Sequence, residues 1–245
     1  MRQLRFYIPF SLNVGQQYEL PEATARHMVR VLRLTEGDEF VLFNGDNHEY
    51  AARLIQASKK HVQVLVESEQ FVNRESSLST HLIQALSKGD KMDLTIQKAV
   101  ELGVTEISPV SSERSNVSLS GPRLEKKMQH WQGVIQSACE QSWRNCLPEL
   151  HQLNPLITVL EELKSSPALK LLLTPGANMN FGSLQAPQGG VVILIGPEGG
   201  LSENEIQYAQ KCGFVSVSAG PRVMRTETAG IVILSVVQML WGDLG

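Results

Sequence analysis

A glycine-bearing segment near the carboxyl end of the chain has the composition of a ligand-binding loop. Five apolar residues, Val191–Ile195, are rich in β-branched side chains and are followed by Gly196 and Pro197, which predicts a buried strand that ends in a loop. Gly199 and Gly200 come next. Because glycine has no Cβ, such a loop lets backbone N–H and C=O groups approach a ligand closely.

The spacing of these glycines excludes the best-known phosphate loops. The chain has no GxxxxGK[S/T] sequence and no GxGxxG after the first strand of its α/β region, which disfavours a P-loop and a dinucleotide site. Ser202 precedes Glu205 by three residues, a spacing typical of a capping box at the start of a helix. We therefore predict that Ser202 and Glu205 cap a helix and take no part in catalysis.

A second loop follows the next predicted strand and carries two cations. Arg222 and Arg225 lie just before the predicted last helix, in which Thr226 is a candidate N-cap and Glu227 falls in the first turn. Positive charges at this place oppose the helix dipole. We therefore expect both arginines to serve an anionic ligand or chain.

Alternating apolar patterns predict the elements that position these loops. The first seventy residues predict a small β-barrel with one helix at 21–34, and its strands are expected at 6–8, 39–43, 50–55 and 62–66. Residues 71–79 are typical of a linker. We therefore predict a first domain at 1–72 and a second domain at 73–245.

The second domain alternates strands with helices. Strands are predicted at 81–85, 106–110, 170–174, 191–195 and 214–217, and helices at 91–102, 124–141, 154–163, 202–211 and 226–240. Such alternation indicates an α/β domain with a mostly parallel sheet. Ligands of such sheets bind at the carboxyl ends of the strands, where both glycine loops lie.

Basic residues of the first domain are candidates to bind a nucleic-acid backbone, since arginine suits phosphate oxygens. On the predicted helix three of them share one face, at i, i+4 and i+7, and two more precede the first strand. These candidates are Arg2, Arg5, Arg26, Arg30 and Arg33. The alternative is a solvated helix face paired with Glu22 or Glu36.

The bulk composition is that of an ordinary globular protein. The 245 residues are 42% hydrophobic and 19% charged, with a net charge of −3, so an RNA-binding surface would have to be local. The three cysteines show no CxxC or Cys/His metal spacing, and we expect no metal and no disulfide framework. We find neither a signal peptide nor an apolar run long enough to span a membrane, which favours a soluble cytoplasmic protein.

Several segments together closely resemble the knotted SPOUT methyltransferases. They include GPEGGLS at 196–202, GPRVMRTETA at 220–229, SKGDKMDLTIQKAVELGVTEISPVSSERS at 87–115, CEQSWR at 139–144 and HMVRVLRLTEGDEFVLFNG at 27–45. Within that class the chain is similar to the uridine-N3 methyltransferases of small-subunit ribosomal RNA, over nearly its whole length. Two positions depart from the pattern: Trp143 stands where a small residue is expected, and Ala219 replaces a larger aliphatic side chain.

The resemblance implies a fold, a cofactor and partners. It implies a PUA-like RNA-binding β-barrel followed by an α/β SPOUT domain with a trefoil knot, and a homodimer. Its substrate would be 16S ribosomal RNA, either naked or in the assembled 30S subunit, and its cofactor S-adenosylmethionine. The residues that match the cofactor loops are Leu173, Thr174, Gly196, Pro197, Glu198, Gly199, Gly200, Ala219, Gly220, Pro221, Val223, Met224 and Arg225.

Methylation of uridine N3 requires loss of a weakly acidic proton between two carbonyl groups. Our hypothesis is that Arg225, assisted by Arg222, stabilises the resulting anion. Glu198 or Glu227 could accept the proton, or could orient an arginine or the cofactor's ammonium group, and the sequence leaves these roles open. Arg114 and Arg144 are further candidates for RNA contact.

Two other functions fit the sequence. One is another SPOUT RNA methyltransferase, acting on tRNA or on a ribose 2′-hydroxyl. The other is a non-catalytic RNA-binding factor in ribosome assembly that retains the knot. Its cofactor loops would be expected to be damaged, whereas those of this chain look intact.

Overall fold

A computed structural model describes residues 4–58, 61–115, 119–179 and 181–245. The strands are β1 (Arg5–Tyr7), β2 (Gln17–Glu19), β3 (Glu39–Phe43), β4 (His48–Ala57), β5 (Val62–Phe71), β6 (Thr80–Ala85), β7 (Glu106–Ser111), β8 (Glu149–Leu150), β9 (Asn154–Pro155), β10 (Leu169–Leu173), β11 (Val191–Ile195) and β12 (Val215–Val217). The α-helices are α1 (Glu22–Arg26), α2 (Lys91–Glu101), α3 (Gly121–Ser142), α4 (Leu156–Glu162), α5 (Glu203–Lys211) and α6 (Thr226–Trp241). No helix of these ranges is both long and apolar enough to cross a lipid bilayer.

The chain folds into two compact units. The first comprises Met1–Glu75 with Cys139–Leu147, and the second comprises Ser76–Ala138 with Pro148–Gly245. Residues 139–147 belong to the first unit because of their tertiary contacts. No shift in composition marks this segment, so the sequence does not reveal it. The functional boundary between residues 72 and 73 stays a prediction.

The first unit contains a five-stranded sheet in the order β1-β3-β4-β5-β2. β1 runs parallel to β3, and the other neighbours are antiparallel. Alternate residues of β4 point into the core, as expected of a strand with one face buried. The short strand β2 was not predicted, because three residues carry too little pattern to be recognised.

The early helix is shorter than predicted. α1 continues as a π-helical turn, His27–Val31, and Arg33 has a φ of 58°. A residue in this left-handed conformation cannot continue a right-handed helix. The prediction that Arg33 shares a helix face with Arg26 and Arg30 is therefore wrong, although all three side chains are exposed.

The second unit is built on a parallel sheet in the order β12-β10-β11-β6-β7-β8, with β9 paired to β7. All its recorded strand pairings are parallel, which confirms the predicted α/β class. β11 lies between β10 and β6, and α6 returns from β12 to pack against α2, β6 and β11. One helix prediction needs correction at its start: residues 154 and 155 form β9, and α4 begins only after Pro155.

Asp93 ties α2 to α3 in the second unit. Its carboxylate accepts hydrogen bonds from Lys127 Nζ at 2.9 Å, His130 Nε2 at 2.6 Å and Trp131 Nε1 at 3.0 Å. Burial alone would raise the pKa of Asp93, but the hydrogen bonds from His130 and Lys127 bring it below its ordinary value. The carboxylate therefore stabilises the folded state in its charged form.

Replacing Asp93 by asparagine should lower the free energy of unfolding at pH 7 by about 1–3 kcal/mol, because a charged acceptor of three bonds is lost. The pKa of Asp93 is lower in the folded state than its ordinary value of 3.8, which applies to the unfolded chain. The stabilisation by the Asp93 carboxylate is therefore present above pH 3.8 and is lost as the pH falls through the pKa of the folded state. Urea denaturation at pH 7 and below pH 4 checks both statements. Asp243→Asn, on an exposed carboxylate near the end of the chain, is the control and should change little.

Candidate active site

A cavity of about 590 Å³ opens at the carboxyl ends of β10 and β11. Its walls are the loop after β10, the glycine loop 196–201 and the loop 218–225 before α6. The three loops come together because their strands are neighbours in the sheet and parallel strands present their carboxyl ends at one edge. The volume lies within the range typical of small-molecule sites.

The glycine loop turns tightly and then starts a helix. Gly200 N–H donates to Pro197 O at 2.9 Å, and Gly200 has a φ of 69°, a conformation that favours glycine. The Ser202 hydroxyl accepts from Glu205 N–H at 3.2 Å, while Ser202 N–H donates to the Glu205 carboxylate at 2.8 Å. The predicted capping box is confirmed.

A buried threonine connects the two glycine-bearing loops. The Thr226 hydroxyl donates to Gly196 O at 2.7 Å and accepts from Gln84 Nε2 at 2.9 Å. The prediction that Thr226 is the N-cap is wrong: Arg225 holds that position, without a side-chain cap bond, and Thr226 is the first residue of α6. The hydroxyl instead fixes the start of α6 against the end of β11.

Thr226→Val should lower the free energy of unfolding by about 1–3 kcal/mol, because it removes the hydroxyl that donates to the Gly196 carbonyl. Valine has nearly the same shape, so packing around α6 should change little. Thermal or urea unfolding of Thr226→Val and Thr226→Ser measures the effect. If Thr226→Ser were destabilised as much as Thr226→Val, the hydroxyl would not be the stabilising group.

Two exposed cations lie at the cavity. Arg222 and Arg225 both line it and are exposed. Within the described part of the chain neither guanidinium has a recorded ion pair. Together with the amino end of α6, they make this side of the cavity positive, as the sequence predicted, and suited to an anion.

Glu198 is held by Lys91, a residue that the sequence analysis missed. Lys91 Nζ lies 3.0 Å from Glu198 Oε1, which also accepts from Lys88 N–H at 3.2 Å. Burial raises the pKa of Glu198, but the bonds from Lys91 and from backbone N–H groups bring it below its ordinary value. Glu198 is therefore a charged, hydrogen-bonded carboxylate and a weak proton acceptor.

Glu227 lies beneath the cavity instead of lining it. It is buried, its Oε2 has no hydrogen-bond partner among the described residues, and that oxygen lies 3.9 Å from Lys91 Nζ. Lys91 thus stands between two carboxylates, and its own side chain does line the cavity. This arrangement favours a positioning role for Glu227, through Lys91, over direct contact with a substrate.

The residues predicted to bind the cofactor lie almost entirely on this cavity. All of them line it apart from Pro221. The structure adds apolar lining that was not predicted: Leu201 at the end of the glycine loop, Ile206 on α5 and Ala229 on α6. The two helical residues face the cavity because of how their helices pack, which the sequence of the loops does not reveal.

The arginines proposed to bind RNA divide into two groups. Arg30, Arg33 and Arg26 are exposed, and Arg26 also pairs with Glu22 at 2.9 Å. Arg114 is exposed and donates to Gly199 O and Leu201 O at 3.4 and 3.3 Å. Arg2 lies outside the described residues.

Arg5 and Arg144 are buried and engaged within the first unit. Arg5 Nη1 lies 2.7 Å from Glu49 Oε1, and its other branch donates to Asn145. Arg144 pairs with Glu75. Both guanidinium groups have internal carboxylate partners, which disfavours contact with RNA, and their RNA-binding role stays a prediction. Sequence position alone does not distinguish a buried, paired arginine from an exposed one.

Trp143, the unexpected residue of the CEQSWR segment, lies between two arginines of the same unit. It has a φ of 69°, and the Arg5 and Arg74 guanidinium carbons lie 5.7 and 5.4 Å from its ring. Its carbonyl also accepts from Arg74 Nη1 at 3.3 Å. Trp143 therefore contributes cation–π contacts and ends α3.

Comparison with known proteins agrees with the geometry. Residues 74–238 match the model of an RNA methyltransferase domain, and residues 20–67 match that of an RNA methyltransferase PUA domain. The chain is 33% identical over 240 residues to the ribosomal RNA small subunit methyltransferase E of Buchnera aphidicola from Schizaphis graminum, covering 98% of this chain and 97% of the other. The protein of the same name from Bacillus subtilis is 33% identical over 228 residues, with 89% of each chain covered.

Two solved structures extend the similarity to the fold. A protein from Legionella pneumophila described as a methyltransferase, in complex with its cofactor SAM, superposes with a TM-score of 0.96 at 42% identity, and each chain is covered completely. The ribosomal RNA small subunit methyltransferase E of Neisseria gonorrhoeae, bound to S-adenosyl methionine, gives 0.93 at 39% identity, again with full coverage of both. The expected fold, a PUA-like domain with a SPOUT α/β domain, is confirmed. The chain belongs to the ribosomal RNA small subunit methyltransferase E family of RNA methyltransferases.

Proposed function

We propose that this chain uses S-adenosylmethionine to methylate N3 of a specific uridine in 16S ribosomal RNA. The observation that carries this proposal is a pair of exposed cations, Arg222 and Arg225, on the wall of the cavity at the carboxyl end of the sheet, neither with an ion pair among the residues that the structure describes. A methyltransferase that acts on a neutral amine has less need of two cations at this place, because the amine attacks without first becoming an anion. An acceptor that reacts as an anion is favoured by them.

The cavity fits S-adenosylmethionine. Its volume of about 590 Å³ is within the range for a ligand of this size. Glycines at 196, 199 and 200 leave the backbone of one wall open, while Leu201 and Ile206 supply apolar surface for a purine ring. The buried Glu227 carboxylate beneath Lys91 adds negative potential, which suits a cationic cofactor. When bound, the cofactor supplies an electrophilic methyl group.

The chain's own residues lower the cost of ionising the base. Loss of the N3 proton spreads negative charge over the two neighbouring carbonyl oxygens. Arg225, and Arg222 three residues before it, provide fixed positive charge on the cavity wall, and arginine stays protonated at any physiological pH. Stabilisation of a developing anion by such donors is often the largest single contribution to catalysis.

We propose that the proton leaves to solvent. Glu198, one of the two carboxylates considered as acceptors, is held in its charged form by Lys91 and Lys88 N–H. Glu227 does not line the cavity. Both carboxylates then act by holding Lys91 and the glycine loop in place, and the arginines make a general base less necessary.

The exposed arginines of the first unit would hold the RNA. Arg30 and Arg33 have no recorded ion pair within the described ranges, so both are available for phosphate oxygens. The target base would have to be unstacked from its neighbours to reach the cavity. The substrate is either naked 16S RNA or the assembled 30S subunit, and the reaction takes place in the cytoplasm.

The family resemblance also implies a homodimer, and exposed apolar side chains support one. Val223 on the cavity loop is 80% exposed, Met239 on α6 is 68% exposed and Leu244 is 53% exposed. Apolar surface of this kind is typical of a subunit interface. Light scattering after size-exclusion chromatography measures the mass of the particle directly.

The function is tested with isotope-labelled S-adenosylmethionine. The purified protein is incubated with naked small-subunit RNA, assembled small subunits and bulk tRNA, all from a strain that lacks the enzyme. The labelled nucleoside is then identified by mass spectrometry. We expect label as 3-methyluridine in 16S RNA.

Two other outcomes separate the alternatives. Label found only in tRNA, or on a ribose 2′-oxygen, would keep the SPOUT activity and reject the uridine assignment. Tight cofactor binding without label in any RNA would favour a ribosome-assembly factor. The intact glycine loops and the cavity they line support turnover.

A further inference from the structure

Two histidines and a glutamate meet at the amino-terminal edge of the second unit's sheet. His81 near the start of β6 is the register partner of Glu106 at the start of β7, and Glu106 is in turn the partner of Glu149 at the start of β8. His151 follows β8, and its N–H donates to Ile107 O at 2.9 Å. Because the strands are parallel, this cluster lies at the opposite edge from the cavity, and the proposed methylation chemistry does not use it.

The potential ligand atoms of the cluster lie close together. His151 Nε2 is 2.9 Å from Glu106 Oε2, and His81 Nδ1 is 3.8 Å from the same oxygen. One ligand atom from each of the three side chains can be chosen so that all lie within 4.8 Å of one another. Zinc bonds of about 2.0–2.2 Å in a tetrahedral site place ligand atoms roughly 3.3–3.6 Å apart. Small side-chain rotations would therefore bring all three to bonding distance.

The outer contacts of the cluster orient the imidazoles as metal sites require. His81 Nε2 lies 2.8 Å from the buried Ser108 hydroxyl. When Nε2 carries the proton and donates a hydrogen bond to the Ser108 hydroxyl oxygen, Nδ1 is unprotonated and directs its lone pair toward Glu106. On the other side, the Glu149 carboxylate lies 3.5 Å from His151 Nδ1. Metal-bound histidines in proteins almost always have a hydrogen-bond acceptor at the second ring nitrogen.

We propose that His81, Glu106 and His151 bind one zinc ion. Two imidazoles and one carboxylate are a ligand set of zinc sites, with water in the fourth position, whereas calcium and magnesium prefer oxygen ligands. His81 is buried, while Glu106 and His151 are partly exposed, so an ion can enter from solvent. The ion would hold the two-residue strand β8 and the turn after it against β6 and β7.

No metal site was predicted from the sequence. The three ligands come from β6, from β7 and from the residue after β8, and they are separated by 25 and 45 residues, far from the short spacings of zinc motifs. Only the parallel register of β6, β7 and β8 brings them together.

The test uses the full-length protein after dialysis against a chelator. Titration with zinc sulfate by calorimetry should show one equivalent bound, and cobalt chloride should give the visible absorption of a tetrahedral site. His151→Ala and Glu106→Gln each remove a proposed ligand, so each should weaken binding by roughly 100-fold or more, since losing even an outer contact of a ligand costs about 10–100-fold, and each should abolish the cobalt band. His130→Ala is the control, since His130 is also a histidine bonded to a carboxylate in the same unit, although it is more exposed than His151.

Circular dichroism of each variant separates loss of the ion from loss of the fold. Glu106→Gln keeps the size of the side chain, so we expect this variant to fold even if His151→Ala fails to fold. Binding that falls in both site variants and persists in His130→Ala supports the proposal. The absence of stoichiometric zinc binding would overturn the proposal. Unchanged zinc binding by a folded Glu106→Gln protein would also overturn it. In either case the cluster would be a hydrogen-bonded triad and no metal site.

Discussion

Arg225→Ala should reduce kcat/KM for RNA methylation by about 10²–10³-fold, the usual effect of removing one donor that stabilises a developing anion. Arg225 lines the cavity and is exposed, so its charge is available to the substrate. The loss should appear mainly in kcat, because the negative charge on the base develops only as the N3 proton leaves. Single-turnover rates with labelled S-adenosylmethionine measure it.

The pH dependence of this variant tests the mechanism more sharply than its rate. If Arg225 favours the ionised base, Arg225→Ala should move the rising limb of the pH–rate profile to higher pH, because the base then ionises less readily. Arg225→Lys keeps the charge without the planar fork and should recover part of the rate. A structural role alone would lower the rate without moving the profile.

Arg123→Ala serves as the matched control, since Arg123 is an exposed arginine of the same unit on α3. It should leave both the rate and the pH profile unchanged. Full activity of Arg225→Ala would reject the proposed role of this residue. Equal losses in the two variants would indicate a general effect of surface charge on RNA binding.

The sequence predicted the parts of the fold that have a local cause. Buried strands are runs of apolar residues, so β3 and β11 were predicted with the bounds that the structure shows. The capping box of α5 was likewise readable, because both of its partners lie within four residues. Short pieces such as β8 and β9, two residues each, have no periodicity and are defined only by the strand they pair with.

What the sequence could not predict depends on contacts between distant residues. Lys91 meets Glu198 across 107 positions, and nothing near either residue indicates the pair. The burial of Arg5 depends on Glu49 and Asn145, which are 44 and 140 positions away. The π-helical turn after α1 moves Arg33 off the predicted face, and no local pattern distinguishes it from an α-helical turn.

Gly196→Ala should weaken the binding of S-adenosylmethionine by about tenfold or more and lower the free energy of unfolding by about 1–3 kcal/mol, a typical cost of overpacking. A Cβ at Gly196 would lie 3.1 Å from Leu201 Cγ and 3.3 Å from Leu201 N, so the glycine loop must shift. The Gly196 carbonyl also accepts the hydrogen bond of Thr226. A shift of the loop is therefore transmitted to the start of α6, where Arg225 stands.

Gly133→Ala provides the control for Gly196→Ala, because Gly133 lies within α3 and a Cβ there would meet no atom within 4 Å. Alanine is favoured over glycine inside a helix by about 1 kcal/mol, so this variant should be at least as stable as the parent and bind the cofactor equally well. Calorimetric titration of both proteins with S-adenosylmethionine makes the comparison. If Gly196→Ala bound the cofactor as tightly as Gly133→Ala, the glycine loop would not be the wall that the cofactor contacts, and the site would have to be sought at the other loops of the cavity.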